Sequence, residues 1–224
     1  MRHSHVLRQK IRWAGTALRT AGKAFWGHHA LAELLPEFMI RTHGTIRASV
    51  PLMEAARNRA VASPDPLSQA LAAYLEHHIP EERHHDEWLL EDLAALGTSR
   101  AEVLERIPPP VVAAMTGAQY YWIFHHHPVA LLGYIAVLEG NPPRVEHLAG
   151  VERRTGLPHE AFRTLLKHAH LDLHHRGDLD AALDALPLAP EHSALLGISA
   201  IHTVQQLAWS LQEIVELYEQ KKSA

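Results

Sequence analysis

His168-Ala-His-Leu-Asp172-Leu-His-His175 carries three metal-competent side chains at i, i+4 and i+7. On an α-helix those offsets lie within about 40° of a common direction, so His168, Asp172 and His175 share one face. A second stretch, Glu81-Glu82-Arg-His84-His85, offers Glu82 and His85 at i, i+3, again one face of a helix. Between them, Val129 to Leu138 holds no charged side chain and ends at Glu139. A carboxylate at the end of so apolar a run needs a partner or a metal if it is buried. Carboxylates and imidazoles projecting inward from several helices are how helical bundles build two-metal centres. These three segments therefore predict an all-α fold with a metal site inside it.

The rest of the chain agrees with that reading. It has 224 residues, enough for one domain with a sizeable core. Hydrophobic residues make up 47%, which excludes a disordered chain, and the net charge of −4 gives no sign of nucleic-acid binding. No apolar run approaches the roughly 18–20 residues of a membrane span, so a cytoplasmic protein is expected. There is no cysteine, which removes disulfides, thiolate zinc sites, iron–sulfur clusters and a cysteine nucleophile. Any metal is then held by nitrogen and oxygen, which suits iron, manganese or zinc. The 20 histidines cluster at 77–85, 125–127 and 168–175.

Helix follows helix, divided by prolines and glycines. The first 23 residues carry six cations and no acid, and read as a solvated basic helix. A long helical pattern runs from His29 to Ala62, with Pro36 and Pro51 expected to kink or divide it. Asp65-Pro66 is a start signal for a helix through Leu71, Leu75, His78, Glu82, His85 and Leu89, kinked at Pro80 and ending near Gly97. Ser99-Arg-Ala-Glu102 is a capping box. Val111 to His126 and Val129 to Glu139 read as the central apolar helix, closed by Gly140-Asn141-Pro142. Further helices are expected from Pro158 to His175, Asp178 to Leu186 and Pro190 to Glu219. Ile198, Ile201, Val204, Leu207, Leu211 and Val215 mark the last as a cap on the core, a homodimer contact being the alternative.

The candidate ligands are Glu82, His85, Glu139, His168, Asp172 and His175. Glu81 with His84 has the same spacing, and His78 lies seven before His85. Glu81, His78, His84 and His126 therefore stand as alternative ligands or as groups that orient them. Tyr120, Tyr121, Trp122 and Phe124 are candidates for the wall of a substrate pocket.

The order Glu82-x-x-His85, Glu139 in Val-Leu-Glu-Gly, then His168-x3-Asp172-x2-His175 resembles the haem-oxygenase-like di-iron oxidases, often labelled iron-containing redox enzymes. His78-x-x-Glu81-Glu82-x-x-His85-Asp86-x-Trp88 and the segment 126–140 are similar to that group too. The resemblance spans roughly residues 29–215. It implies a seven-helix haem-oxygenase-like bundle over 29–224 behind a basic segment 1–28. It implies two iron ions, with manganese in one position as an alternative, and dioxygen as co-substrate. The expected reaction is N-oxygenation or oxidative C–C cleavage of a small amine, amino acid or fatty-acid-like molecule, in natural-product biosynthesis. In some members the first carboxylate comes seven residues before its histidine; here that position is His78. A haem oxygenase would need an axial histidine such as His28, His29 or His43, and glycines over the haem at a spacing Gly133 and Gly140 do not give. A thiaminase of this fold needs a cysteine. A histidine-rich metal-binding protein without activity is the reading from a different class.

Overall fold

The computed structural model describes residues 2–140 and 142–223. They form eleven α-helices: α1 (His3–Ala14), α2 (Thr16–Trp26), α3 (Leu31–Val61), α4 (Pro66–Glu82), α5 (His85–Ala95), α6 (Arg100–Glu105), α7 (Pro110–His125), α8 (Leu131–Leu138), α9 (Val145–Thr155), α10 (Arg163–Ala185) and α11 (Pro190–Ser223). Single 3-10 turns precede α8 and α10. Among the described residues there is no strand, and no helix is long and apolar enough to cross a membrane. The all-α class stands, with eleven helical segments in place of seven because several helices are broken or short.

Local chemistry accounts for many boundaries. Asp65 caps α4, its Oδ1 accepting the Ser68 N–H at 2.9 Å, with Pro66 at the first helical position. Ser99 and Glu102 close a reciprocal capping box on α6. Gly97 and Gly156 leave α5 and α9 with φ of 83° and 66°, a region only glycine enters freely. The break between α8 and α9 includes Asn141, which lies outside the described residues.

Three expected helix boundaries are corrected. α3 runs unbroken through Pro36 and Pro51; each proline removes one N–H link, and burial of Leu34, Leu35, Met39, Leu52 and Met53 holds the helix together. α10 runs unbroken through Gly177, where a break was expected. Conversely, the helix expected to carry both Glu82 and His85 divides between them. Arg83 is extended and His84 is left-handed at φ 70°, so α4 ends on Glu82 and α5 begins on His85. Pro80 stays inside α4, and the break comes three residues after it.

The core has two parts. One gathers Leu52, Leu75, Ile79, Leu131, Tyr134 and Leu179. The other gathers Phe25, Leu35, Met39, Leu89, Leu93 and Phe162. α4 lies in the first part and α5 in the second, so the Arg83–His84 joint is where the chain crosses between them. α10 crosses at the same level, with Leu165 and Leu166 against the second part and Leu179 and Leu183 in the first. Polar side chains at 82–85 and 168–175 thus occupy the seam between two apolar clusters. The basic opening segment is not a solvated appendage: Leu7, Ile11, Ala21 and Phe25 are buried, and α1 and α2 pack on α11.

Candidate metal centre

The end of α4, the start of α5, the end of α8 and the middle of α10 bring eight ligand-type side chains to the seam. Glu82, His85, Asp172 and His175 are buried, as is His78; Glu139 and His168 are nearly so, and Glu81 is half-buried.

Glu82 is the centre of the arrangement. Its Oε1 lies 3.2 Å from His175 Nδ1 and its Oε2 lies 3.2 Å from His85 Nδ1. On the His175 side, single donor atoms of His78, Glu82, Glu139 and His175 all fall within 4.8 Å of one another. His78 Nε2 sits 3.2 Å from Glu139 Oε1, and its Nδ1 sits 3.2 Å from Glu81 Oε2. On the His85 side, the His85 and His168 rings meet edge to face at 4.9 Å. His168 Nδ1 is 2.9 Å from Asp172 Oδ1. The side chains therefore form two adjoining groups that share one carboxylate.

Burial works against the charged form of His78, but Glu139, Glu82 and Glu81 outweigh it and raise its pKa to about 9. Burial also opposes charge on Glu82, yet His175 and His85 hold its carboxyl well below the usual range. Glu139 is pushed up by burial, which its contact with His78 only partly offsets. His168 is raised against its burial by Asp172, and His175 is raised by Glu82.

The donor set can be tested against a metal directly. Glu82 Oε1, Glu139 Oε2, His85 Nδ1, His168 Nε2 and His175 Nδ1 are all buried without a hydrogen-bond partner. A buried polar atom left wholly unsatisfied costs roughly 1–3 kcal/mol; Glu139 Oε2 and His168 Nε2 have no hydrogen-bond partner, and Glu82 Oε1, His85 Nδ1 and His175 Nδ1 have ion-pair neighbours at 3.2 Å without hydrogen-bond geometry. Nitrogen and carboxylate oxygen suit first-row divalent ions, and pairs about 3 Å apart match two ligands on one ion. His168 Nδ1 is held by Asp172, which turns its free Nε2 inward, an arrangement common to metal-binding histidines. The residues fit a metal ion held by His78, Glu82, Glu139 and His175, with further buried donors on His85 and His168 beside it.

Other candidates lie elsewhere. His84 is exposed on the left-handed turn, so the Glu81/His84 register is not the inward one. His126 is exposed at the end of α7. The four aromatic residues expected to line the pocket do not: α7 buries Val112, Met115, Gln119 and Ile123, which turns Tyr121 and Phe124 to solvent. Tyr120 borders a separate cavity of about 310 Å³, and Trp122 stands edge to face with His202. The apolarity of α7 all round had hidden which side faces inward. A second group, His28, His29 and Glu219, lies nearer the surface. There His28 Nδ1 accepts the Ala30 N–H, so Nε2 keeps its proton and donates it to Glu219.

A family model described as iron-containing redox enzyme matches residues 56–205, a span that includes every residue of the two groups. The chain belongs to the iron-containing redox enzyme family. Solved structures show the fold. A domain of unknown function with a heme oxygenase-like fold from Shewanella denitrificans superposes with a TM-score of 0.81 at 18% identity, over 97% of this chain and 94% of that one. A TenA homolog from Pseudomonas syringae pv. tomato gives 0.72 at 13% identity, over 94% and 91%. A CADD-like protein of unknown function from Nostoc punctiforme gives 0.68 at 15%, over 96% and 97%. At these identities the likeness is one of fold, and the fold is haem-oxygenase-like. Among curated proteins none matches the sequence.

A cavity of about 900 Å³ opens directly onto the centre. Glu82, Glu139, His168 and Asp172 form part of its wall, with Leu89 and Val137 beside them. Its volume lies within the usual range for a small-molecule site.

Proposed function

We propose that this chain is a non-haem oxidoreductase that holds two iron ions at the seam and uses dioxygen to oxidise a small organic molecule in the adjoining cavity. The observation that carries this reading is Glu82, which turns one oxygen toward each of two groups of buried, unsatisfied donors. His78, Glu139 and His175 would hold one ion with Glu82; His85, His168 and Asp172 would complete the second position. Iron bound there supplies the electrons for activating dioxygen.

The protein's own part is organisation. Glu82, Glu139 and Asp172 supply negative charge that offsets the ions, and the imidazoles bind as neutral donors. In the metal-free state His78 holds a proton between Glu81 and Glu139, so loading an ion at Nε2 releases it. Asp172 keeps His168 oriented. Leu89, Val137 and Leu138 line the approach and limit water around the reacting atoms. The substrate classes the family resemblance brings, an amine, an amino acid or a fatty-acid-like molecule, lead to N-oxygenation or C–C cleavage.

Anaerobic titration of metal-free protein with Fe(II), followed by rapid mixing with dioxygen, tests the proposal. Two irons per chain and a visible absorbance change on oxygenation support it. Metal analysis after loading with iron and manganese together tells whether one position takes manganese. Tight zinc binding with no oxygen consumption under any condition would replace the proposal with a metal-binding protein without redox activity.

A further inference from the structure

α3 turns opposite faces to two different cavities. Its residues 38, 41, 42, 45, 46 and 49 border the cavity beside the metal centre. Its residues 40, 43, 44, 47, 48 and 51 border the smaller cavity of about 310 Å³, whose other walls come from α6, the connector at Pro108 and Pro109, and α7. A shift of two residues is about 200° around a helix, so the two sets stand back to back. Arg41 and Val112 border both cavities, and no residue of the metal centre borders the smaller one.

The smaller cavity has three guanidinium groups and no carboxylate in its wall. Arg41 is taken up by Glu37, Glu213 and the Ser210 carbonyl. Arg106 pairs one nitrogen with Glu37 at 2.6 Å and keeps its other N–H groups. Arg47 is exposed and makes no hydrogen bond or ion pair among the described residues, so one positive charge is left over. His43 is buried, and its Nε2 has no partner. Burial lowers its pKa; Asp86 and Glu87 on α5 oppose that, and Arg47 adds to it. His43 is therefore a neutral imidazole that brings an N–H without a second charge. Asp86 and Glu87 stand outside the wall, and Glu87 is held by Arg100. α7 begins at this cavity with no side-chain cap and no acid in its first turn, which leaves the positive end of its dipole uncompensated. Ile40, Val103, Pro108 and Val112 make much of the remaining wall apolar, beside the ring of Tyr120.

We infer that the smaller cavity is a second binding site, separate from the oxidative one, for a small organic anion whose carboxylate or phosphate group pairs with Arg47 and Arg106 while its apolar body lies between α3 and the Pro108–Pro109 connector. Arginine matches either oxyanion through paired N–H bonds. The volume stands at the low end for ligand sites, which limits the occupant to a small molecule. That occupant is not the molecule oxidised, since no ligand of the metal centre reaches this side of α3.

Fluorine NMR on the whole metal-free chain tests this without the iron chemistry. The probes are 4-fluorobenzoate, 4-fluorophenyl phosphate and the uncharged 4-fluorobenzyl alcohol, with inorganic phosphate as a competitor. At least one of the two fluorinated anions should bind about tenfold more tightly than the alcohol, and the tighter of them names the oxyanion. Arg47→Ala should weaken that anion by about tenfold, and Arg47→Glu should weaken it further. Arg106→Ala should weaken it as well, so the result does not rest on one side chain. Arg12→Ala/Arg19→Ala, which alters exposed arginines of the larger cavity, should leave it unchanged. Arg47 holds no partner in the fold, and unchanged helical circular dichroism would show its variants intact. No binding of either anion at millimolar concentration overturns the inference, as does equal binding of the alcohol. Anion binding that the Arg47 variants leave unaltered, or that the Arg12/Arg19 variant weakens as much, overturns it by placing the ligand elsewhere. Inorganic phosphate binding as tightly as the fluorinated anion overturns it too, because the apolar wall would then contribute nothing.

Discussion

Glu82 has an imidazole nitrogen 3.2 Å from each of its oxygens, and no other carboxylate in the seam reaches both groups. Glu82→Ala should therefore impair both metal positions together, whereas His78→Ala should impair one. Iron per chain after anaerobic loading checks this: near zero for the first variant and near one for the second. Asp172→Asn keeps the shape of the side chain but weakens its hold on His168. Because Asp172 also stands as a ligand, a loss of metal affinity of at least about 10–100-fold is expected, the range for a group that only orients a ligating histidine, and competition with a chelator measures it. How far these residues are legible in sequence differs along the chain. The relation of His168 to Asp172 and His175 can be read because α10 stays helical throughout, so spacing translates into a common face. The proximity of Glu82 to His85 has another cause. No helix joins them, and the reversal at His84 brings them together. His78, legible in sequence only as an alternative ligand, belongs to the group of four whose donor atoms lie within 4.8 Å of one another.

At the scale of elements, the Arg83–His84 joint makes its own prediction. His84 is exposed and touches neither group, yet it holds a left-handed conformation that costs an L-residue about 1–2 kcal/mol. His84→Val should destabilise the protein by at least about 1 kcal/mol in urea unfolding, because a β-branched residue fits that region worst. His84→Gly should cost nothing or stabilise. Equal effects of the two would mean the joint is not strained. Two helix glycines form a second contrast. A side chain at Gly133 would run into the Leu196 carbonyl where α8 crosses α11, and Gly133→Ala should cost about 1–3 kcal/mol. At Gly177 a methyl group meets nothing within 4 Å, so Gly177→Ala should stabilise α10 by about 0.5–1 kcal/mol. Thermal midpoints moving in opposite directions would bear this out. The unbroken course of α10 was not legible because its leucines are anchored in both halves of the core, and that packing overrides one unfavourable residue.

For the whole molecule, the protonation of the seam sets how stability follows pH. His78, His168 and His175 all bind protons more tightly in the folded chain than the ordinary histidine value of 6.5. The stability they contribute is complete below that value and is lost as pH rises, for His78 through about 9. His43, His127 and His202 are shifted down by burial, so their influence lies below 6.5. Metal-free protein should thus have a lower urea midpoint at pH 9 than at pH 6.5, and His78→Gln should narrow the gap. Iron-loaded protein should show less of it, since the ions replace those protons. The packing of α1 and α2 on α11 has a consequence in time. A ribosome adds the first two helices long before their partner exists, and the segments bearing the seam's donors emerge in between. α8, which carries Glu139 at its end, also waits for α11 to cover it. The growing chain therefore displays its histidines and acids while the enclosure around them is still unbuilt, and whichever cation the cell supplies at that moment meets an open set of donors.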